Sequence, residues 1–399
     1  MTVSSEFSGA APRHPWLAVG AVGLATFSVV TTEMLPVGLL TPMAEQLGAS
    51  PGATGLAISL PALLAALFAP LVVLAAGGVD RRRILCGLLA LLMAANIACA
   101  LAPSLGWLLA ARVLVGFCMG GIWAVAGGLA ARLVPVAAVG LASSIIFGGV
   151  AAASVLGVPL GALIGDFAGW RWAFAGMALL SGLVLLLHLA VLPALPVAYS
   201  VTLGQFGTQL RNRKLQAGLV LTALLVAGHF AVFTFVRPLL LSRSGVEAQW
   251  MGALLLAYGM TGMAGNFLVG VAGSRHAVRV LVAIALGLLC VPLLFLALGG
   301  SPMGGSSVLL LWGLVYGGVS VGLMGWMVKA APQAVEVASS LYVAVFNLGI
   351  GLGAWMGGQL VDGPGVAANL WLAAVLFAMA LLLTMGMVRR GVQDAAAAP

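Results

Sequence analysis

Two stretches decide the fold: GFCMGGIWAVAGGLAARLVP, Gly116 to Pro135, and GLVYGGVSVGLMGWMVKAAP, Gly313 to Pro332. At an offset of 197 residues, Gly116, Gly120, Gly121, Gly128, Arg132 and Pro135 return as Gly313, Gly317, Gly318, Gly325, Lys329 and Pro332. A second set repeats at an offset of 196: Ala142, Ser143, Ser144, Gly157, Gly161 and Asp166 return as Ala338, Ser339, Ser340, Gly353, Gly357 and Asp362. Both offsets are close to half of the 399 residues, so the chain reads as one unit duplicated and fused.

Composition names the solvent of that unit. Hydrophobic residues make up 63% of the chain and charged residues 7%, too few charges to cover a water-soluble domain of this length. The surroundings are therefore lipid, and a duplicated apolar chain points to a transporter with its site between two halves. The first fifteen residues hold Glu6, Arg13 and His14 and lack the pattern of a cleaved signal, so the first apolar segment is expected to stay as a span. Cys86, Cys99, Cys118 and Cys290 fall within or beside apolar segments without metal-ligand spacing and read as packing residues. No metal or other cofactor is expected. A phosphate-binding Gly-Lys loop and the clustered acids, histidines or nucleophiles of an enzyme are missing from the sequence, which argues against a pump driven by ATP and against catalysis.

A bilayer core takes about 20 apolar residues per helix. The spans read as 16–40, 52–76, 84–103, 106–131, 138–165 and 171–193, then 215–241, 248–272, 277–299, 306–328, 337–361 and 367–388. The expected fold is all-α and integral to the membrane, twelve helices in two pseudo-symmetric six-helix bundles, 16–193 and 215–388. A tail (1–15), a linker (194–214) and a second tail (389–399) complete the chain, all three expected in the cytoplasm. Lys and Arg set the direction: with the N-terminus inside, thirteen of the 17 fall on the cytoplasmic side and only Arg171 and Arg243 outside. The net charge of +8 is thus topology rather than a surface for nucleic acid, and the expected location is a bacterial-type inner membrane. Small residues at every fourth position, Gly149, Ala153, Gly157, Gly161 and Gly165, with Gly349, Gly353 and Gly357 in the second half, read either as fixed helix contacts or as a seam along which the halves rock.

The chain resembles the major facilitator superfamily over nearly its whole length, and within it the drug:proton antiporter branch. Arg112-Val-Leu-Val-Gly116 is similar to that branch's fourth-helix motif, and Gly157-Val-Pro159-Leu-Gly161 to its fifth-helix antiporter motif, in which Gly and Pro bend the helix; the second of the paired terminal glycines is missing. The loop between spans two and three reads Gly77-Gly78-Val79-Asp80-Arg81-Arg82-Arg83. Either Asp80, with Arg81 beside it, takes the acid's role in a shortened cytoplasmic gate, or Gly77 stands where the acid belongs. TEMLPVGLLTPMAEQLGAS (Thr32 to Ser50) and GHFAVFTFVRPL (Gly228 to Leu239) resemble purine ribonucleoside efflux permeases, with sugar efflux transporters close behind. The resemblance implies a proton-driven exporter of small polar solutes, most of all purine ribonucleosides. Sugar or multidrug efflux by the same mechanism and passive uniport stand as alternatives. Its partners would be the solute, protons and lipid, and a single copy is expected to work alone.

Only one acid lies clearly inside a span, Glu33, three residues before Pro36. A charge at the bilayer centre costs roughly 2.5–3.5 kcal/mol, so such a position needs a partner, a wet cavity or a proton. A Glu facing a cavity exchanges a proton near neutral pH, and Glu33 is read as the proton carrier or else as half of a structural ion pair. Arg112, which does not titrate, is its expected counter-charge, linking protonation to conformation. The competing reading has Arg112 satisfying neighbouring carbonyls. Arg237 precedes Pro238, and Thr32 and Pro36 map onto Thr234 and Pro238, which sets Arg237 and Glu33 at similar depths for an outer gate, a substrate contact or an interfacial charge. Asp166 and Asp362 read as interfacial, with Arg171 near Asp166. A purine would want aromatic faces and amides. Trp123, His229, Trp312, Tyr316 and Asn347 are the candidates beside Arg237, each open to an ordinary packing role.

Overall fold

The computed structural model describes residues 14–75, 79–135, 138–195 and 203–396. Among these, twelve stretches are long and apolar enough to cross a bilayer. The first half holds α1 (Pro15–Leu47), α2 (Pro51–Ala75), α3 (Arg81–Ala100), α4 (Leu105–Leu133), α5 (Val139–Ala152), α6 (Val158–Ala168) and α7 (Trp170–Val191). The short α8 (Leu203–Leu210) leads to α9 (Arg213–Phe233), α10 (Val236–Ser242), α11 (Met251–Leu298), α12 (Pro302–Gly317), α13 (Val319–Ala330), α14 (Val335–Asp362) and α15 (Val366–Ala396). The eighth and ninth spans run together as the single helix α11, where the sequence suggested a break near residue 275.

Three spans are interrupted, each for a visible reason. A π turn, Ala153–Gly157, joins α5 to α6 directly before Pro159. Proline lacks an N–H and crowds the preceding turn, and the wider turn absorbs both effects. The seventh span breaks at Thr234 and Phe235, just ahead of Pro238, and the tenth breaks at Gly318. By contrast α1 stays helical through Pro36 and Pro42 to Leu47 and stops at Gly48, whose φ of 61° suits glycine.

Alternating helices place residues 79–80, 134–135 and 331–334 at one end, here called the basic end. The opposite, far end carries the loops at 48–50, 169 and 363–365. The halves join through α2 against α14, α6 against α11 and α1 against α10. Close approaches lie toward the far end: a Cβ on Gly358 would sit 3.0 Å from Gly52 O, and one on Gly351 2.5 Å from Leu63 Cγ. The outer part of the fifth span, α6, packs against α11 of the other half, whereas α5 packs on α1 and α4 of its own.

The small-residue stripes do not form the seam between the halves. Gly149, Gly157, Gly161 and Gly165 face α1, and Gly349, Gly353 and Gly357 face α9. Both are contacts within one half, letting backbones approach where lipid gives no hydrophobic drive. The α14 glycines that do face the other half are Gly351 and Gly358, which meet α2.

Candidate functional site

Glu33 and Arg112 are both buried at the middle of the first half. Their relation is not the expected carboxylate–guanidinium bridge. Arg112 Nη1 donates to Thr32 O, Nη2 to Glu33 O and Nε to Ala57 O, each at 2.7 Å. Two of these acceptors are explained by the sequence four residues on. The helical donor for Thr32 O would be residue 36 and for Ala57 O residue 61, and both are prolines. Arg112 therefore supplies the hydrogen bonds that Pro36 and Pro61 withhold, tying α1, α2 and α4 together. The Glu33 side chain is buried beside this staple, and its Oε1 has no hydrogen-bond partner. Beside it, Asn96 Nδ2 donates to Thr32 Oγ1 at 3.1 Å.

Arg237 repeats the device from the opposite half. Its Nη1 donates to Gly38 O at 2.8 Å, and the withheld donor there is Pro42. Its Nη2 pairs with Asp166 Oδ1 at 2.6 Å. Arg237 is thus buried in a far-end clasp across the halves. Arg171, expected near Asp166, donates to Gln46 Oε1 at 2.7 Å and Ala102 O at 2.9 Å and lies over the Trp170 ring. Asp362 makes a second clasp, accepting from Gly52 N at 2.8 Å and from Ser50 Oγ at the start of α2.

The second half contributes an aromatic cluster. The His229 ring stacks on Tyr316 with centroids 3.3 Å apart and planes 7° apart, and on Phe233 at 4.8 Å and 23°. Trp312 meets His229 edge-on at 5.1 Å and also packs on Phe233 and Tyr258. Asn347 is buried, its Nδ2 donating to Val343 O at 2.9 Å. Four inward polar atoms here have no partner: His229 Nδ1, Trp312 Nε1, Tyr316 OH and Asn347 Oδ1. Trp123 stands apart, stacked on Phe147 at 6.0 Å in the first-half core. The sequence did not single out Phe233 for this site; its place one turn after His229 on α9 was the available signal.

At the basic end, Asp80 caps α3 by accepting from Arg82 N at 2.8 Å and also accepts from Leu195 N at 2.9 Å. Arg81 N donates to Leu195 O at 3.1 Å. These bonds tie the loop to the end of the sixth span within one half. Gly77 lies outside the described residues. The bend expected at Gly157 and Pro159 is the π turn, with Gly157 against Thr31 and Gly161 against Leu35 of α1.

The family model of the Major Facilitator Superfamily matches residues 22–349. The chain is 33% identical over 374 residues to "Transcription regulatory protein OpdE" of Pseudomonas aeruginosa, covering 93% of each chain. It is 31% identical over 377 residues to "Purine ribonucleoside efflux pump NepI" of Salmonella paratyphi A, covering 94% of this chain and 95% of the relative. Among solved structures, a bacterial homologue of the human lysosomal transporter Spinster, inward-facing and unoccupied, matches with a TM-score of 0.77. That likeness covers 96% of this chain and 98% of the other at 16% identity, and it speaks for the fold alone.

Proposed function

We propose, for a chain that belongs to the major facilitator superfamily of membrane transporters, that it exports purine ribonucleosides in exchange for protons. The basic end is then cytoplasmic, both termini with it, and the clasps of Arg237 and Asp362 close the outer side. A solute from the cytoplasm would meet His229 and Trp312 for its base, at the face that Tyr316 covers, and Asn347 for a polar edge. The NepI relatives named as purine ribonucleoside pumps, at about 31% identity, support this choice of solute. The regulator name of the Pseudomonas relative is not carried over, because the segments between spans are too short to hold a nucleic-acid-reading domain.

The observation that carries the exchange step is Glu33, a buried carboxylate without a hydrogen-bond partner on Oε1, whose own backbone carbonyl is held by the arginine staple of the first half. Arg112 is committed to backbone carbonyls, so it sets the local field without neutralising Glu33 by a direct bridge. Protonated Glu33 and bound solute favour opposite-facing states, so that each leaves as the other enters. The test is efflux of labelled inosine, other nucleosides and arabinose from proteoliposomes under an imposed pH gradient. Inosine efflux should rise with the gradient and collapse with a protonophore. Glu33→Gln should bind solute yet lose gradient-driven export; uphill export by that variant at the wild-type rate would overturn proton coupling through Glu33.

A further inference from the structure

Aromatic pairs in proteins ordinarily keep their ring centroids about 4.5–7 Å apart. His229 obeys this with Phe233, Phe230 and Trp312, at 4.8, 4.8 and 5.1 Å. Tyr316 does not: it lies flat on the imidazole at 3.3 Å and 7°. With Phe233 on the opposite face, both faces of the imidazole are covered. A planar solute reaches His229 only by displacing one of the two.

The two covers differ in how firmly they are held. Phe233 is buried among His229, Tyr258 and Trp312. The Tyr316 ring is half-buried, while its hydroxyl is buried without a partner. Its backbone sits at the interruption of the tenth span, where Gly318 N bonds back to Tyr316 O and α13 starts afresh at Val319. The seventh span also breaks within a turn of the cluster, with Phe235 N bonded to Val232 O. A helix break thus lies beside each cover, and burial is what separates them: Phe233 is buried whereas Tyr316 is half-buried.

We infer that Tyr316 is an aromatic lid that occupies the place of a flat heteroaromatic ring on His229, and that the transported solute competes with it for that face. This rests on the reading of the solute as a nucleoside and adds that its base is admitted by displacement. The unpartnered His229 Nδ1 and Trp312 Nε1 then face the edge of the incoming ring, and selection favours flat rings with polar edges over sugars, which offer no face to stack.

The sign of one substitution separates a lid from an ordinary binding aromatic. Tyr316→Ala should tighten equilibrium binding of labelled inosine to the purified full chain by roughly three- to tenfold, with Tyr316→Phe near wild type. If Tyr316 merely stacks on the solute, the alanine variant binds more weakly, and the inference is overturned. Tyr316→Leu fills the volume without a flat face and should behave like alanine, which guards against a variant that fails to fold. A readout without solute uses His229→Cys in a chain lacking the four native cysteines, labelled by a water-soluble maleimide. Adding Tyr316→Ala should raise the labelling rate at least fivefold; an unchanged rate overturns the lid whatever the solute. A raised rate that adenine or another flat heterocycle slows, while inosine does not, supports the lid and overturns the nucleoside reading.

Discussion

Replacing Arg112 by Met removes three hydrogen bonds and one charge, and the prolines of α1 and α2 allow these effects to be separated. Thr32 O and Ala57 O have no helical donor, because residues 36 and 61 are prolines, and Arg112 serves both at 2.7 Å. A buried polar group left unsatisfied costs about 1–3 kcal/mol, so the two carbonyls together account for about 2–6 kcal/mol. Arg112→Met also relieves the arginine's own desolvation and changes the field at Glu33. Those contributions are common to a second background, Pro36→Ala with Pro61→Ala, in which the helix supplies the two missing N–H groups. The difference between the cost of Arg112→Met in the two backgrounds isolates the carbonyls, and it should be about 2–6 kcal/mol in favour of the alanine background. The assay is reversible denaturation in mixed micelles with increasing SDS, followed by circular dichroism. Equal costs in both backgrounds would refute the staple. A cost cancelled by Glu33→Gln rather than by the alanines would restore the direct ion pair.

Two further outcomes follow from the same geometry. Arg237→Met, or Asp166→Asn, removes a charge-assisted bond of about 1.5–3 kcal/mol from the far-end clasp. Labelling of a cysteine placed at Val37, buried beside Gly38, should then rise roughly tenfold or more, and an unchanged rate would mean that the clasp does not hold that end shut. Gly357→Ala sets a Cβ against Ala231 O, the carbonyl to which Asn369 also donates. Overpacking there should cost about 1–3 kcal/mol in the same SDS titration, while Gly386→Ala, with open space around it, stays near zero.

Much of the fold was legible because duplication and apolar length are properties of the chain alone. The paired motifs at Gly116 and Gly313, the count of spans and the glycine stripes needed no knowledge of helix rotation. Which helix each stripe faces did need it, and a stripe of glycines reads the same whether it meets its own half or the other. Asp166 shows the second limit. Arg171 is its neighbour in sequence, but Gly169, with a φ of 94°, turns the chain at the head of α7. Arg171 is thereby sent to Gln46, and the acid is left to Arg237, 71 residues away. The arginine staples were written in the sequence in a form easily overlooked. A proline inside a span leaves a carbonyl four residues earlier in need of a donor, and Arg112 and Arg237 are the long, fixed charges within the spans able to reach one. Reading Thr32–Pro36, Ala57–Pro61 and Gly38–Pro42 as requests for donors would have predicted carbonyl partners before carboxylates.

The two arginines meet the same helix with different permanence. Arg112 grips α1 from within its own half, so its bonds to Thr32 and Glu33 survive any movement that keeps that half rigid. Arg237 grips α1 at Gly38 from the other half, and its bonds to Gly38 and Asp166 have to break when the far end opens. Breaking them in a dry seam would strand a carbonyl that Pro42 prevents the helix from satisfying, together with two charges, a cost of several kcal/mol. Water entering along the opened seam removes most of that cost. A partly opened, still dry gate is therefore the least favourable arrangement, and the far end should pass between closed and fully wetted states without a stable intermediate. The proline at 42 sharpens that switch: with Pro42→Ala the helix satisfies Gly38 O by itself, the dry intermediate becomes less costly, and far-end labelling should report a looser, more graded gate.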